Sequence, residues 1–319
     1  MADFILSLLQ LHWSLSRALV SAVVENGGEI KLQTEPKQIL VENGKAVGVE
    51  TVAGEVFKAR YFVASGLNPQ QTFIELMDKD VALKEWRQKA KDFQYNLIAP
   101  LFALNLNLNE PPKYKAAETN PDLDKALIVI LGLEHFQQYQ EIVSDHEKGT
   151  IPPTVMWGSC PTVFDPSQAP QGKHTAFMWE KLPYHLNGNA ENWDREKGSH
   201  GKQMLELWTK YAPNLPHDVI DWFTRSPLDT ERTFPNMKNG DLLIGAFTNG
   251  QIGYHRPFPG AGQYRGYIQG LYLCGSACHP GGNITGLPGY NCAQVIFSDL
   301  HLPASWAPLS AENHLKKLC

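Results

Sequence analysis

A glycine-rich loop near the end of the printed sequence carries the residues best suited to chemistry. The stretch "GSACHPGGNITGLPG", Gly275 to Gly289, holds five glycines in fifteen residues, whereas a plain strand-to-helix connection needs about one. Its glycines would leave backbone N–H groups open to a ligand. Pro288 and Gly289 would open a helix whose dipole favours an anionic or electron-rich group. The pattern predicts a cofactor cradle made of backbone donors, with an ordinary connection as the alternative.

Side chains in and around this loop give weaker signals. His279 lies inside the loop, where it either faces a ligand or caps a turn. Cys274 and Cys278 are four residues apart, which fits small buried residues better than a redox pair. The histidine spacings do not indicate a metal site, and no catalytic acid, base or nucleophile stands out.

The fingerprint that holds the phosphates of a dinucleotide is not found in the 319 residues. The nearest match, "GAGQYRG" at Gly260 to Gly266, is spaced GxGxxxG, and no strand precedes it, so it predicts a loop. No Walker loop is found in the sequence either.

Two groups of strands must position the glycine-rich loop. The apolar run "LYLC", Leu271 to Cys274, predicts the strand that enters it. Far earlier in the chain, Asn43-Gly44 indicates a hairpin turn, and a short strand beginning at Tyr61 ends at Ser65-Gly66. A helix is expected after Pro69. We expect the early strand and the "LYLC" strand to be neighbours, with Gly66 close to Gly282.

The region from about residue 70 to 262 has a different sequence pattern, in which charged stretches predicted as helices alternate with predicted strands. This order predicts a mixed α/β plus α+β fold, with an antiparallel-sheet domain inserted between the two halves of another domain. Strands are predicted in "NLIAPLFALNLNLN", "TVMWGSC", "TAFMWEKLPY" and "DLLIGAF", and helices over Asp80 to Lys91 and Asn192 to Tyr211.

The first residues predict an amphipathic helix that packs on a core. Apolar residues recur at steps of three and four, and Gly27-Gly28 ends the pattern. Asp3 stands where a signal peptide carries basic residues, and the apolar run is too short for a membrane span. The apolar series is Phe4, Leu8, Leu11, Leu15, Ala18 and Ala22.

Composition narrows the class of protein. Apolar residues make up 43% and charged residues 19%, which supports a sizeable core. The net charge is −5, from 28 basic and 33 acidic residues with no basic block, so nucleic acid is not an expected partner. The five cysteines form no CxxC pair, which favours a reducing compartment. We expect a cytoplasmic location, with the mitochondrial matrix as the alternative.

Two stretches together resemble a known family. "LYLCGSACHPGGNITGLPGYNCAQVI" resembles the C-terminal flavin motif of the phytoene desaturase, carotenoid isomerase and retinol saturase group, FAD-dependent oxidoreductases of the amine-oxidase-like superfamily. "LSRALVSAVVENGGEIKLQTEPKQILVENGKAVGVETVAGEVFKARYFVASGLNP" is similar to the family's central helix, hairpin and return strand. Within the group, the chain looks most like the branch of pyridine nucleotide-disulfide oxidoreductase domain-containing protein 2. The resemblance runs from about Ser14 onward, and it is loose in the middle of the chain.

The resemblance implies an incomplete FAD-binding, Rossmann-like domain over 1–70 and 262–319, and a substrate domain over 71–261. Pro36 and Lys37 would contact the adenine through their backbone. Ser65 and Gly66 would lie near the ribose and pyrophosphate.

The glycine-rich loop would hold the flavin half of FAD. By the resemblance, Gly275 and Ser276 approach the ribityl chain, although Ser276 stands where the wider superfamily has an acidic residue. Gly282, Asn283 and Ile284 would lie against the isoalloxazine ring. The flavin would carry the hydride chemistry, so no catalytic side chain is implied.

The family begins with a βαβ unit carrying GxGxxG, which this sequence lacks. One hypothesis is therefore an FAD-dependent oxidoreductase in truncated form that exchanges hydride with an apolar small molecule. The alternative is a non-catalytic flavoprotein remnant that acts as a binding protein. Without that unit we expect weak retention of FAD. We also expect exposed apolar faces that associate with a second copy or with the missing βαβ unit.

Overall fold

The computed structural model describes residues 15–81, 83–282 and 284–303, which divide into two compact units. The glycine-loop unit contains the described residues of 34–94 and 243–303. The sheet unit contains 15–33 and 95–242. The division near residues 70 and 262 into cofactor and substrate domains stays a prediction.

The glycine-loop unit begins with the predicted hairpin. Strand β1 (Pro36–Glu42) pairs antiparallel with β2 (Lys45–Thr51), which in turn pairs with β3 (Val56–Lys58). Asn43 and Gly44 turn the chain with φ of 49° and 75°. Asparagine and glycine tolerate these left-handed values best, which is why this dipeptide indicates a hairpin.

The strand pair that leads into the site is parallel. Strand β4 (Val63–Ser65) pairs with β10 (Leu271–Leu273), although about 200 residues separate them in the chain. The predicted neighbourhood of these two strands is confirmed. Helix α7 (Leu287–Asp299) follows the glycine-rich loop and packs Cys292 and Ile296 into the core of this unit. Helix α2 (Lys84–Lys91) belongs to the same unit.

The sheet unit is built on a five-stranded antiparallel sheet in the order β6-β7-β8-β5-β9. One face is buried under helix α4, with Trp193, Met204 and Trp208 in its core. The inserted antiparallel sheet and the mixed fold class are confirmed. The bounds are β5 Leu101–Leu108, β6 Val129–Leu131, β7 Met156–Ser159, β8 His174–Lys181, β9 Val219–Arg225, α3 Gln138–Lys148, α4 Trp193–Tyr211, α5 Leu215–Asp218 and α6 Pro227–Thr233.

The expectation of a core-facing N-terminal helix is wrong for the residues described. Residues 15–25 are helical (α1), but their apolar side chains are exposed, Leu19 by 61%. A 3.6-residue period of apolar residues predicts that a helix has an apolar face, but it does not predict what packs against that face. Phe4, Leu8 and Leu11 lie outside the described residues. None of the described helices is long and apolar enough to cross a membrane.

One strand prediction needed correction. "DLLIGAF" is not a strand, because Ile244 and Gly245 adopt φ of 50° and 111°, which interrupts an extended chain. The helix expected after Pro69 is confirmed, and it includes a π-helical turn over Gln71–Glu75.

Candidate functional site

The site is built where the two parallel strands end. The Cys274 N–H donates to the Ser65 carbonyl at 2.9 Å, which continues the strand pairing by one residue. Gly275 then lies directly against the backbone of Gly66, where a Cβ would overlap the Gly66 carbonyl. Loops that leave neighbouring parallel strands at their carboxyl ends are where open α/β folds bind ligands.

A cavity of about 270 Å³ opens at this point. Its walls are almost entirely backbone and small side chains, so a ligand there would meet main-chain groups. The lining residues are Gly66, Cys274, Gly275, Ser276, Gly281, Gly282, Ile284, Thr285, Gly286, Pro288 and Gly289.

Two of the lining glycines are not required by the fold itself. Gly66 has no left-handed φ, and a Cβ on it would lie 3.9 Å from Cys274 Sγ, an ordinary contact. Gly289 likewise has no left-handed φ, and its Cβ would meet nothing closer than the Cys274 carbonyl at 4.0 Å. Both are exposed. Because a Cβ at either position would meet no protein atom closer than 3.9 Å, the glycines leave room for a ligand to approach the backbone closely.

Helix α7 adds an electrostatic preference to the cavity. Gly286 caps it with φ of 67°, and the Leu287 N–H donates to Thr285 Oγ1 at 3.3 Å. Gly289 is in the first turn, where amide groups lack a carbonyl partner four residues back. The positive end of the helix dipole therefore favours an electron-rich or anionic group at this end of the cavity.

Arg256 supports the glycine-rich loop from inside the unit, and no sequence pattern indicated this role. The side chain is 1% exposed, and its guanidinium lies over the Phe247 ring at 4.4 Å. It donates to the Ser276 carbonyl at 3.2 Å, and Phe247 in turn contacts the loop at Gly281. The other acceptors are the carbonyls of Leu243, Ile244, Gly245 and Gln251.

The same guanidinium stabilises the non-extended conformation of "DLLIGAF" that the positive φ values of Ile244 and Gly245 impose. Carbonyls that a neighbouring strand would bind accept from Arg256 instead. Arginine can serve this role because its planar fork presents five N–H donors. A single arginine in a loop sequence gives no pattern from which this arrangement can be read.

A second support of the loop was also missed. The Tyr264 hydroxyl donates to the His279 carbonyl at 2.9 Å and accepts from Asn291 Nδ2 at 2.9 Å. Through its backbone, His279 thus anchors the loop to α7, while its side chain is exposed and does not line the cavity.

Most of the predicted flavin-loop residues come together. Gly66, Gly275, Ser276, Gly282 and Ile284 all line the cavity, and Ile284 is 88% exposed. Asn283 lies outside the described residues.

The remaining predicted contacts lie elsewhere in the glycine-loop unit. Ser65 is buried beneath the cavity, with its Oγ 2.8 Å from Thr72 Oγ1. Pro36 and Lys37 begin strand β1, where Lys37 pairs with Glu50 at 2.7 Å, and they do not line the cavity. Their assignment to the adenine stays a prediction.

The cysteines near the loop behave as small apolar residues. Burial raises the pKa of the Cys274 and Cys278 thiols, and it raises the pKa of Cys292 to about 12. All three are free thiols. Within the described ranges, no group of three or more His, Cys, Asp or Glu side chains could hold a metal ion.

The residues of the cavity fit a flavin. Close backbone approach, amide donors and a helix N-terminus are what a flat, oxygen-bearing ring and its polar chain require. The two glycines that the fold does not need are the observation in favour of this fit.

Comparison with known proteins gives relatives among oxidoreductases. The chain is 30% identical over 297 residues to pyridine nucleotide-disulfide oxidoreductase domain-containing protein 2 from Mus musculus, covering 90% of this chain and 50% of that protein. It is 29% identical over 314 residues to a limonene dehydrogenase chain from Castellaniella defragrans, covering 92% and 55%. Prolycopene isomerases and a phytoene desaturase are more distant homologues. No protein-family model matches.

The fold is shared with a solved structure. An oxidoreductase from Methanosarcina mazei aligns with a TM-score of 0.50 at 18% identity, over 89% of this chain and 53% of that one. The chain spans about half the length of the curated relatives it matches. The predicted resemblance is confirmed: the chain is a homologue of pyridine nucleotide-disulfide oxidoreductase domain-containing protein 2, limonene dehydrogenase and prolycopene isomerase.

Proposed function

We propose that this chain is the flavin-ring-binding part of an FAD-dependent oxidoreductase that exchanges hydride with an apolar substrate. The observation that carries the proposal is the cavity at the ends of β4 and β10, with the unneeded glycines Gly66 and Gly289 in its wall. Homology to oxidoreductases supports the same function.

The open face of the five-stranded sheet supports an apolar substrate. Trp157 and Trp179 are paired across β7 and β8, and Phe177 packs on Trp179 with ring centroids 4.6 Å apart. Phe223 on β9 is 53% exposed on the same sheet. Exposed aromatic surface of this extent marks a binding surface. Limonene, in the name of one relative, is a hydrocarbon.

In this proposal, the residues of the chain bind the flavin and orient it. Bound FAD supplies the hydride chemistry. The amides of the glycine-rich loop and of the first turn of α7 would donate to flavin oxygens, while Arg256 holds the loop at Ser276. Each backbone hydrogen bond contributes about 0.5–1.5 kcal/mol net, and association costs at least about 4 kcal/mol. We therefore propose that the chain retains FAD weakly by itself.

A titration with FAD tests the proposal. We expect the purified chain to carry little flavin and to bind added FAD saturably, as followed by quenching of flavin fluorescence. Gly282→Val places a branched side chain in the cavity wall, and we expect it to abolish binding with an unchanged far-UV circular dichroism spectrum.

Two results would contradict the proposal. One is the absence of saturable binding at millimolar FAD, and the other is full binding by Gly282→Val. Either result would favour the alternative of a binding protein without flavin chemistry.

A further inference from the structure

A second cavity lies in the sheet unit, and its lining residues are distant from the glycine-rich loop in the sequence. It has a volume of about 410 Å³ and is lined by strands β6 to β8 and helix α3. Ligand cavities of small molecules begin at about 300 Å³. Its walls are mainly aliphatic and aromatic, including Ile130, Ile142, Val143, Val155 and Trp157.

One cation is set into this apolar wall. Lys181, the last residue of β8, lines the cavity, and its ammonium lies over the Trp157 ring at 5.7 Å. The ammonium donates to the Ala99 carbonyl at 3.4 Å, a weak bond that leaves its other donors available. Among the described residues no carboxylate is within ion-pair distance of it, and burial lowers the pKa of Lys181, with partial compensation from Asp241. Buried and half-buried charges are normally paired.

Glu180, the acidic residue in the same wall, does not form an ion pair with Lys181. Glu180 precedes Lys181 on β8 and also lines the cavity, but it is 1% exposed and its carboxylate is bound in the core. Its Oε2 lies 2.6 Å from His200 Nε2 in the core of the unit. Burial raises the pKa of the Glu180 carboxyl, and the contact with His200 opposes that rise.

We infer that this cavity binds a medium-chain aliphatic carboxylate, with the chain against Ile130, Ile142 and Val143 and the carboxylate on the ammonium of Lys181. A single ammonium matches a single negative charge, and the apolar wall matches an alkyl chain. The inference does not depend on flavin binding, since all of its residues lie in the sheet unit, and Trp157 is the one residue it shares with the aromatic face proposed above for the apolar substrate.

Calorimetric titration with decanoate, decanol and decyltrimethylammonium tests the inference on the whole chain. We expect decanoate to bind most tightly and the cationic amphiphile least tightly. Lys181→Met should weaken decanoate by about tenfold or more, the size of a partly desolvated charge-assisted contact, and should leave decanol unchanged. Lys181→Arg should retain decanoate.

Matched variants locate the site and guard against misfolding. Val143→Glu puts a charge into the wall from the partly exposed face of α3, and it should weaken decanoate and decanol together. Lys125→Met removes an exposed lysine of the same unit and should change nothing. Equal affinities for decanoate and decanol, no effect of Lys181→Met, or no binding of either ligand would each overturn the inference.

Discussion

The carbonyl of Gly66 lies so close to Gly275 that a methyl group on Gly275 would overlap it. This contact joins the ends of two strands that are distant in the chain, and it sets one wall of the cavity. Gly275 and Gly66 therefore serve different purposes, although both are glycines of the same cradle.

Gly275→Ala should destabilise the protein, because neither backbone can move without disturbing the pairing of β4 and β10. We expect a loss of about 2 kcal/mol or more in the free energy of unfolding, in the range of overpacked cores. Urea unfolding followed by circular dichroism measures it. A change below about 0.5 kcal/mol, the ordinary effect of a surface substitution, would show that the two loops are not in contact.

Gly66→Ala should have the opposite profile, with normal stability and weaker FAD binding. Its Cβ would make only an ordinary contact with Cys274 Sγ at 3.9 Å, and Gly66 lines the cavity, where an added methyl group would hinder close approach of a ligand. Flavin fluorescence quenching measures the affinity. Gly198→Ala, at an open and exposed position of α4, is the matched control and should leave binding unchanged. Unchanged binding by Gly66→Ala would remove Gly66 from the flavin site.

Cys274 gives a test of the site that needs no activity. Its thiol lines the cavity, whereas Cys160, also half-buried with a pKa raised by burial, belongs to the sheet unit. Alkylation with N-ethylmaleimide at mildly alkaline pH, read by mass spectrometry, should slow several-fold at Cys274 when FAD is added. The rate at Cys160 should not change. Equal rates at Cys274 with and without saturating FAD would mean that FAD binds elsewhere.

Local signals predicted the hairpin, the glycine-rich loop and most strands of the sheet, because turn residues and two-residue alternation act over a few positions. The neighbourhood of strands β4 and β10 was expected, but the contact of Gly66 with Gly275 that it brings about was not predicted. The burial of Arg256 could not be predicted, because it depends on carbonyls that come together only in the folded chain. They belong to Leu243, Ile244, Gly245, Gln251 and Ser276. The strand expected at "DLLIGAF" was wrong for the same reason.

Arg256→Met should destabilise the glycine-loop unit strongly. The substitution keeps an apolar stem but removes the guanidinium donors to the carbonyls of Ile244, Gln251 and Ser276, at about 1–3 kcal/mol for each buried group that is left unsatisfied. We expect at least about 3 kcal/mol in urea unfolding, and faster hydrogen exchange over Ser276–Gly282. Arg256→Lys, which keeps the charge without the planar fork, should fall between wild type and Arg256→Met. Equal stability of Arg256→Met and wild type would contradict the support role.

The capping box of α6 should contribute acid-sensitive stability through Asp229. Its Oδ2 accepts from the Ser226 N–H at 3.0 Å, and Lys197 Nζ contacts Oδ1 at 2.9 Å. Burial alone would raise the pKa of Asp229, but Lys197 and Ser226 outweigh it and hold that pKa below its usual value. The unfolded chain then binds the proton more readily, so this stability is complete above a pH of about 4, the unfolded pKa. It is lost as the pH falls through the lower folded pKa.

Asp229→Asn should therefore lower the free energy of unfolding by about 1–2 kcal/mol at neutral pH, the size of a lost cap. Its deficit relative to wild type should shrink as the pH falls below about 4, because wild type then loses the same contribution. Urea unfolding at several pH values between neutral and acid gives the two curves. Glu141→Gln, at an exposed position of α3, is the control and should run parallel to wild type. A constant deficit of Asp229→Asn at every pH would show that the carboxylate charge contributes nothing and that only the lost cap geometry matters.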